Sequence, residues 1–140
     1  MTKTMYIAHE VSSDLAGNVR KILDICRRFH TKDVQPFAPY IVALQYLDDT
    51  CAEERARGMQ ANEEFFTRGT IDEVGVFGAR VSRGMFGEIA LAEDRQHVLY
   101  SRARRLAKQV LSTHAREVLV HRSCGVPVTK HDPCVGKQRS

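Results

Sequence analysis

The stretch IDEVGVFG, at residues 71–78, decides the fold class of this chain. Its apolar residues form a short run that ends at Gly78, a pattern typical of a buried strand. Ser82 follows at a helix-capping position, and residues 84–92 carry apolar side chains at helical spacing. A buried strand that leads directly into a helix is the repeating unit of an α/β protein.

Similar patterns lie on both sides of this stretch. Strand or extended patterns occur at residues 5–8, 34–40, 97–101 and 117–121, and helix patterns at residues 19–29, 48–68 and 102–114. Segments that alternate in this way imply parallel strands joined by right-handed crossovers. We therefore predict an α/β fold of the doubly wound, Rossmann-like or flavodoxin-like type. Its sheet would have five mainly parallel strands, with helices on both faces.

The bulk composition suits one small domain. The chain has 140 residues, of which 43% are hydrophobic and 27% charged, and its formal net charge is +4. We expect an α/β domain over residues 1–122 and an irregular tail over residues 123–140, where two prolines and two glycines occur. Since the sequence has neither a membrane-length apolar stretch nor a signal peptide, we expect a cytoplasmic protein with no membrane partner.

Polar and glycine-containing segments follow several of the predicted strands. In sheets of this type, ligands bind beyond the carboxyl ends of the strands, near the switch in strand order. The segments expected to meet there are residues 9–18, 36–49 and 78–88 and the end of the fourth predicted strand, at residues 97–101. The sequence therefore predicts a ligand site that combines side chains from these four segments.

Several short motifs occur together in these segments. They are YIAH at residues 6–9 with Asn18, PFAP at 36–39, Asp48-Asp49 before Glu54-Arg55, DEVGVFG at 72–78, and SRGM at 82–85 with Glu88. In this combination, residues 5–100 resemble the nucleoside 2-deoxyribosyltransferase-like family, in particular its small phage and bacterial members. The chain differs from the family pattern at Glu10, where relatives usually have proline, and at Tyr40, where they usually have histidine.

The resemblance implies a function in nucleoside chemistry. In the deoxyribosyltransferases, the glutamate corresponding to Glu88 attacks the anomeric carbon of the sugar. A carboxylate suits this role because it stabilises oxocarbenium-like charge and can form a glycosyl ester. Tyr6 is expected to orient Glu88, and Asp72 matches a family aspartate that would act as the catalytic partner. Since Asp72 lies at the amino end of its strand, a structural cap or ion pair is the alternative.

The segment at residues 82–85 suits ligand binding. The start of a helix has unpaired amides and a positive dipole end, and Gly84 lets a ligand approach the backbone. Ser82 and Arg83 would add a hydroxyl and a charge for a phosphate or sugar, although Ser82 can also cap the helix. Phe37 or Tyr40 would stack on the base. The other predicted ligand-binding residues are His9, Asn18, Asp49, Arg55, Gly78 and Met85.

The sequence leaves more than one function open. The leading hypothesis is a nucleoside- or nucleotide-binding enzyme that cleaves or transfers an N-glycosidic bond, as a deoxyribosyltransferase or a nucleotide N-hydrolase. The alternative is a non-catalytic binder or scavenger of a nucleotide signal, either cyclic or derived from NAD. The resemblance further implies a homodimer or larger assembly, and nothing indicates a cofactor.

Two features lie outside the resemblance. A basic cluster at Arg102, Arg104 and Arg105 could attract nucleic acid, but a solvated helix face is the favoured interpretation. Two copies of an H-x-x-C spacing could hold zinc tetrahedrally, although an ordinary flexible tail is favoured. The zinc ligands in that hypothesis would be His121, Cys124, His131 and Cys134.

Overall fold

The computed structural model describes residues 1–95, 97–101, 117–120 and 127–129. Strands and helices alternate along most of this part of the chain. In chain order the elements are β1 (Lys3–Ala8), α1 (Leu15–Phe29), β2 (Val34–Phe37), α2 (Tyr40–Ala43), α3 (Ala52–Thr67), β3 (Glu73–Val76), α4 (Arg83–Asp94), β4 (Val98–Ser101), β5 (Glu117–Val120) and β6 (Pro127–Thr129). The predicted helix over residues 102–114 lies outside the described residues.

The described strands form one sheet, in the order β2-β1-β3-β4-β5-β6. Neighbouring strands from β2 to β5 are parallel, and β6 runs antiparallel to β5. The chain is thus an α/β protein. The sheet has six described strands, whereas five were predicted.

The sixth strand corrects the prediction for the end of the chain. Residues 123–140 were expected to be irregular because of their prolines and glycines, but residues 127–129 pair with β5 in the register Glu117↔Thr129. Pro127 is compatible with this pairing because it is the first residue of a strand at the edge of the described sheet, where a missing N–H costs little.

The prolines at residues 36 and 39 act differently from each other. An extended conformation was predicted up to Tyr40, yet β2 ends at Phe37 and α2 begins at Tyr40. Pro39 has φ −65° and ψ −27°, which is the helical region, and the fixed φ of proline suits the start of a helix. The prediction was therefore wrong for the last two residues of the extended segment, Pro39 and Tyr40.

The loop between β1 and α1 ends in a side-chain cap. The Asp14 carboxylate accepts a hydrogen bond of 3.1 Å from the Gly17 amide, and α1 begins directly after it. The inward face of α1 buries Ile22 against the sheet, while Arg27 and Arg28 lie in its last turn, where cations favour the helix dipole.

The core packs around β1 and β3. Tyr6 and Ile7 of β1 and Val74 and Val76 of β3 are fully buried. Other fully buried side chains come from the helices and include Ile22, Phe66, Met85 and Ile89. In the part of the chain that the structure describes, no helix is both long enough and apolar enough to cross a membrane.

Candidate active site

A cavity of about 620 Å³ opens beyond the carboxyl ends of β1 and β3. Helices α3 and α4 form two of its walls, and residues after β1 contribute a third. Of the residues predicted to form the site, those on the cavity wall are His9, Tyr40, Asp49, Arg55, Ser82, Gly84, Met85 and Glu88. The structure thus brings together side chains from three of the four segments that the sequence analysis selected, namely residues 9–18, 36–49 and 78–88.

The α4 wall begins with a capped helix end. The Ser82 hydroxyl accepts a hydrogen bond of 3.4 Å from the Met85 amide, so the predicted capping role is present. Gly84, Gly87 and Glu88 then face the cavity at helical spacing. Around Gly87, no other atom lies within 4 Å of where a Cβ would stand. The absence of side chains at the glycines keeps the space in front of Glu88 open.

The Glu88 carboxyl group is the chemically distinctive feature of the cavity. Its Oε1 accepts a hydrogen bond of 2.7 Å from the Tyr6 hydroxyl. Its Oε2 is buried and has no hydrogen-bond partner among the described residues. Burial raises the pKa of Glu88 from an ordinary value of 4.5 to about 7, against the lowering effect of the Tyr6 bond. Both the acid and the carboxylate are therefore populated near neutral pH.

Tyr6 is held in place by aromatic packing. Its ring is fully buried and lies 4.9 Å from the Phe66 ring and 5.9 Å from the Tyr40 ring, between centroids. Burial, reinforced by the nearby Glu88 carboxylate, raises the pKa of Tyr6 well above its ordinary value. The phenol remains protonated at neutral pH and can donate to Glu88. Its oxygen also accepts a hydrogen bond of 2.9 Å from the Asn62 amide.

The acidic loop and α3 meet in an ion pair. The Arg55 guanidinium lies 2.8 Å from the Asp49 carboxylate, and both side chains are partly exposed at the cavity. The ion pair thus connects two residues that were predicted to bind the ligand. Asp48 does not line the described cavity; its carboxylate accepts hydrogen bonds from the Thr50 hydroxyl and amide, which lower the pKa of Asp48.

His9 follows the end of β1 and lies on the cavity wall. Its Nδ1 is 2.6 Å from the Glu10 carbonyl oxygen, and Gly78 packs against its ring with φ +104°. A Cβ at Gly78 would lie 3.5 Å from His9 Nε2 and would need a backbone conformation that L-residues rarely adopt. Glu10 forms an ion pair of 2.6 Å with Arg80, so this residue, at a position where the resembled family usually has proline, links the loops after β1 and β3.

Tyr40 occupies the position where the resembled family usually has histidine. Its hydroxyl donates a hydrogen bond of 2.6 Å to the Ile7 carbonyl oxygen, and the residue is 9% exposed. The ring therefore forms part of the base of the cavity and anchors α2 to β1. Since the hydroxyl is already engaged with the backbone, a contact between Tyr40 and a ligand would use the ring edge or face.

Asp72 is not brought to the cavity. Its carboxylate accepts a hydrogen bond of 2.7 Å from the Thr4 amide, and its own amide donates to the Thr4 carbonyl oxygen. Because β1 and β3 are parallel, this contact lies at the amino end of the sheet, opposite the cavity. Asp72 therefore lies too far from the cavity for the predicted catalytic role. Its contacts agree with the alternative, a structural cap at the amino end of the strand.

Three further predicted residues have other contacts. The Phe37 ring packs edge-on against Phe65 at 4.9 Å between centroids, which removes it from the described cavity wall. The Asn18 amide donates to the Val11 carbonyl oxygen and the Ser13 hydroxyl, so it holds the loop after β1. Arg83 is exposed in the first turn of α4 and does not line the described cavity.

Of the residues that α3 contributes to the cavity, the sequence analysis selected Arg55 and left out Met59 and Asn62. Asn62 faces the cavity and touches Tyr6, and Met59 lines the same wall. A signal was present, because residues 55, 59, 62 and 66 fall at helical spacing and the last of them is the fully buried Phe66. A polar residue one turn before a buried aromatic on the same face points inward.

The two features outside the resemblance remain predictions. His121, Cys124, His131 and Cys134 lie outside the described residues, as do Arg102, Arg104 and Arg105. Within the described ranges, no group of three or more histidine, cysteine, aspartate or glutamate side chains is arranged to hold a metal ion.

The fold and the cavity together define an α/β protein with a buried, partly unsatisfied carboxyl group at the carboxyl ends of its parallel strands. The family described as "Domain of unknown function (DUF7768)" matches residues 3–102. The chain belongs to this family. Among curated proteins, none matches the chain.

Proposed function

We propose that this protein binds a nucleoside or nucleotide and cleaves or transfers its N-glycosidic bond, with Glu88 as the nucleophile. The observation that carries the proposal is Glu88, which lines the cavity and has a buried carboxyl group, with Oε1 held by Tyr6 and Oε2 without a partner among the described residues. The resemblance to the nucleoside 2-deoxyribosyltransferase-like family supports the same assignment, because Glu88 and Tyr6 occupy the matching motif positions.

The proposed reaction proceeds in two displacements. Ionised Glu88 attacks the anomeric carbon through Oε2, the C–N bond breaks, and its electron pair stays on the base nitrogen, which takes a proton. A glycosyl ester on Glu88 results. Water or a second base then attacks the same carbon, the ester C–O bond breaks, and Glu88 is released as the carboxylate. When water or a protonated base nitrogen attacks, its proton passes to solvent or to a basic group of the site.

The leaving base needs a proton donor other than Asp72. His9 lies on the cavity wall, and its Nδ1 contact with the Glu10 carbonyl oxygen fixes the orientation of the ring. An imidazole ring can act as a general acid toward the leaving base, and water in the open cavity is a second source of the proton. We assign this step to His9 or to water.

The cavity offers different surfaces to the two parts of a nucleoside. The capped start of α4, with Ser82 and Gly84, provides backbone amides and a hydroxyl that suit sugar hydroxyls or a phosphate. The opposite wall is largely apolar and suits the face of a base. Its apolar side chains include Leu44, Leu47 and Met59.

The strand order agrees with a doubly wound arrangement. From β1 the chain runs first to β2 on one side and later to β3 on the other, so the order reverses beside β1. Right-handed crossovers would then put α1 on one face of the sheet and α4 on the other. We include this layout in the proposal, together with a homodimer and a cytoplasmic location, which rest on the resemblance and on the sequence.

The test is to incubate the purified protein with deoxynucleosides and deoxynucleotides and to measure free base by chromatography. We expect release with the wild type, and a loss of at least about a thousandfold with Glu88→Gln. Glu93→Gln is the matched control, since Glu93 is on the same helix and does not line the described cavity. Base release that survives Glu88→Gln would reject the assignment of the nucleophile.

A non-catalytic nucleotide binder is the second candidate. The observation in its favour is the raised pKa of Glu88, about 7, which leaves a large protonated fraction able to donate a hydrogen bond to a ligand. The distinguishing experiment is thermal shift with nucleosides, nucleotides and cyclic nucleotides, followed by chemical analysis of the ligand. A large stabilisation by a ligand that is recovered unchanged would favour this function.

A further inference from the structure

A pair of hydrogen bonds connects three elements beneath the cavity. The Asn62 side-chain amide of α3 donates to the Tyr6 hydroxyl oxygen of β1 at 2.9 Å. The Tyr6 hydroxyl donates to Glu88 Oε1 of α4 at 2.7 Å. Asn62 belongs to none of the motifs that carry the resemblance, and the reaction proposed above assigns it no role.

The direction of these bonds follows from the chemistry of the groups. An amide NH₂ group can only donate, whereas a phenol has one proton to give and an oxygen that accepts. When Asn62 donates to the oxygen of Tyr6, the Tyr6 proton is left for Glu88. If the group at residue 62 were an acceptor, it would compete with Glu88 for this single proton.

The surroundings make this competition consequential. The Tyr6 ring is fixed between Phe66 and Tyr40, so its hydroxyl cannot move away to find another partner. A hydrogen bond to an ionised carboxylate in a buried place is strong because solvent does not screen it. The stability of the ionised form of Glu88 therefore depends on whether the Tyr6 hydroxyl donates its hydrogen bond to Glu88 or to another acceptor.

We propose that Asn62 is a positioning residue. It keeps the Tyr6 hydroxyl oriented so that it donates its hydrogen bond to Glu88 Oε1, and Oε2 is thereby left as the oxygen that is free to react. The proposal rests on the proposed function of Glu88 as nucleophile. Asn62 acts through Tyr6, and it transfers no proton itself.

Other ionisable groups also line the cavity. They are His9, Tyr40, the Asp49–Arg55 ion pair, Glu54, Glu63 and Asp94. Burial keeps Tyr40 neutral, because it raises the pKa of the phenol well above its ordinary value. The charges of the remaining groups are unchanged by substitution at residue 62, so a comparison of variants isolates the effect of Asn62.

The experiment is a titration of the Glu88 carboxyl carbon by NMR in protein labelled with ¹³C-glutamate. Glu88→Gln identifies the resonance. We expect Asn62→Ala to raise the titration midpoint of Glu88, and Asn62→Asp to raise it further, by about one pH unit or more, because the aspartate accepts the Tyr6 proton and adds negative charge. Base release at pH 7 should fall in the same order, by roughly threefold to tenfold for the aspartate variant, and should recover at higher pH.

A double-mutant cycle separates positioning from a merely structural role. In a Tyr6→Phe background, Asn62→Ala should have no further effect on the Glu88 midpoint, since the connecting hydroxyl is gone. Arg57→Gln, on the exposed side of α3, is the control for a change of one charge. Circular dichroism confirms that each variant is folded, and Asn62→Ala keeps the test valid if Asn62→Asp does not fold.

Three results would overturn the proposal. They are an unchanged Glu88 midpoint in Asn62→Ala and Asn62→Asp, an equal shift in Arg57→Gln, or an effect of Asn62→Ala that persists in Tyr6→Phe. The titration does not depend on turnover. If the wild type releases no base from any nucleoside, the proposed reaction fails, and the titration still decides whether Asn62 directs the Tyr6 proton.

Discussion

The Tyr6 hydroxyl and Glu88 Oε1, which are 82 residues apart in sequence, lie 2.7 Å apart in a hydrogen bond. This contact joins strand β1 to helix α4 and holds the buried carboxyl group of Glu88, a residue that lines the cavity. Because the bond favours the charged form, it lowers the pKa of Glu88, while burial raises it to about 7. The balance between these two effects determines the pH range in which Glu88 can act.

Removal of the Tyr6 hydroxyl should therefore shift activity to higher pH. Tyr6→Phe removes the hydrogen bond that lowers the pKa of Glu88. The pKa of Glu88 then rises above about 7, so a smaller fraction of Glu88 is ionised at neutral pH. We expect base release at pH 7 to fall roughly tenfold and its pH profile to move in the alkaline direction. Tyr40→Phe is the comparison variant, since that hydroxyl donates to the Ile7 backbone, and an equal shift there would contradict the assignment.

The buried carboxyl group should make the fold less stable as the pH rises. Glu88 has an ordinary pKa of 4.5 when unfolded and about 7 when folded, so the folded state binds more protons between these values. The free energy of unfolding then falls across this window, by roughly 3 kcal/mol in total. Glu88→Gln should remove this fall and be the more stable protein at pH 8. Urea titrations at pH 4 and pH 8 test this, and equal losses of stability in both proteins would contradict it.

Substitution of Gly87 should separate stability from ligand binding. A Cβ at Gly87 meets no atom within 4 Å, so Gly87→Ala should stabilise α4 by about 1 kcal/mol while it narrows the cavity and weakens ligand binding. Gly69→Ala is the contrasting control, because Gly69 has φ +68° and alanine is strained there. Thermal unfolding and ligand titration measure both effects. If the Gly87→Ala variant binds the ligand with the same affinity as the wild type, the ligand does not approach the wall formed by α4.

Asp72 should matter for stability and not for base release. Asp72→Ala removes the acceptor of the Thr4 amide at the amino end of the sheet and should lower stability by roughly 1 kcal/mol. Asp72→Asn keeps an acceptor oxygen and should be closer to the wild type. Base release should remain within about twofold in both variants. A large loss of base release in Asp72→Asn, with stability retained, would contradict this and indicate a catalytic role for Asp72.

The strongest local patterns in the sequence predicted the elements that carry the site. The run at residues 71–77 and the capping position of Ser82 gave β3 and α4, because a buried strand and a capped helix are specified by neighbouring residues. The rule that ligands bind at the carboxyl ends of parallel strands then selected the cavity side of the sheet. That same polarity of the strands placed Asp72 at the opposite end.

The other features depended on contacts distant in sequence. Nothing near Pro127 indicates a strand, because β6 is defined by its pairing with β5. The helical spacing of Asn62 and Phe66 indicated that Asn62 points inward, but its partner, the Tyr6 hydroxyl, is 56 residues away in sequence and is brought to it by the fold. Phe37 was expected at a ligand because aromatic rings stack on bases, but Phe65 provides a nearer partner.

The long sequence separation of Tyr6 and Glu88 has a consequence for folding. Helix α4 has its own cap and can begin to form early. The hydrogen bond between Glu88 and Tyr6 of β1 forms later, because it requires β3 to pair with β1, which is distant in the chain. A partly folded chain would thus retain helical structure without a working site. Recovery of ligand binding during refolding should lag behind recovery of the helical signal, and this delay would report on assembly of the central strands.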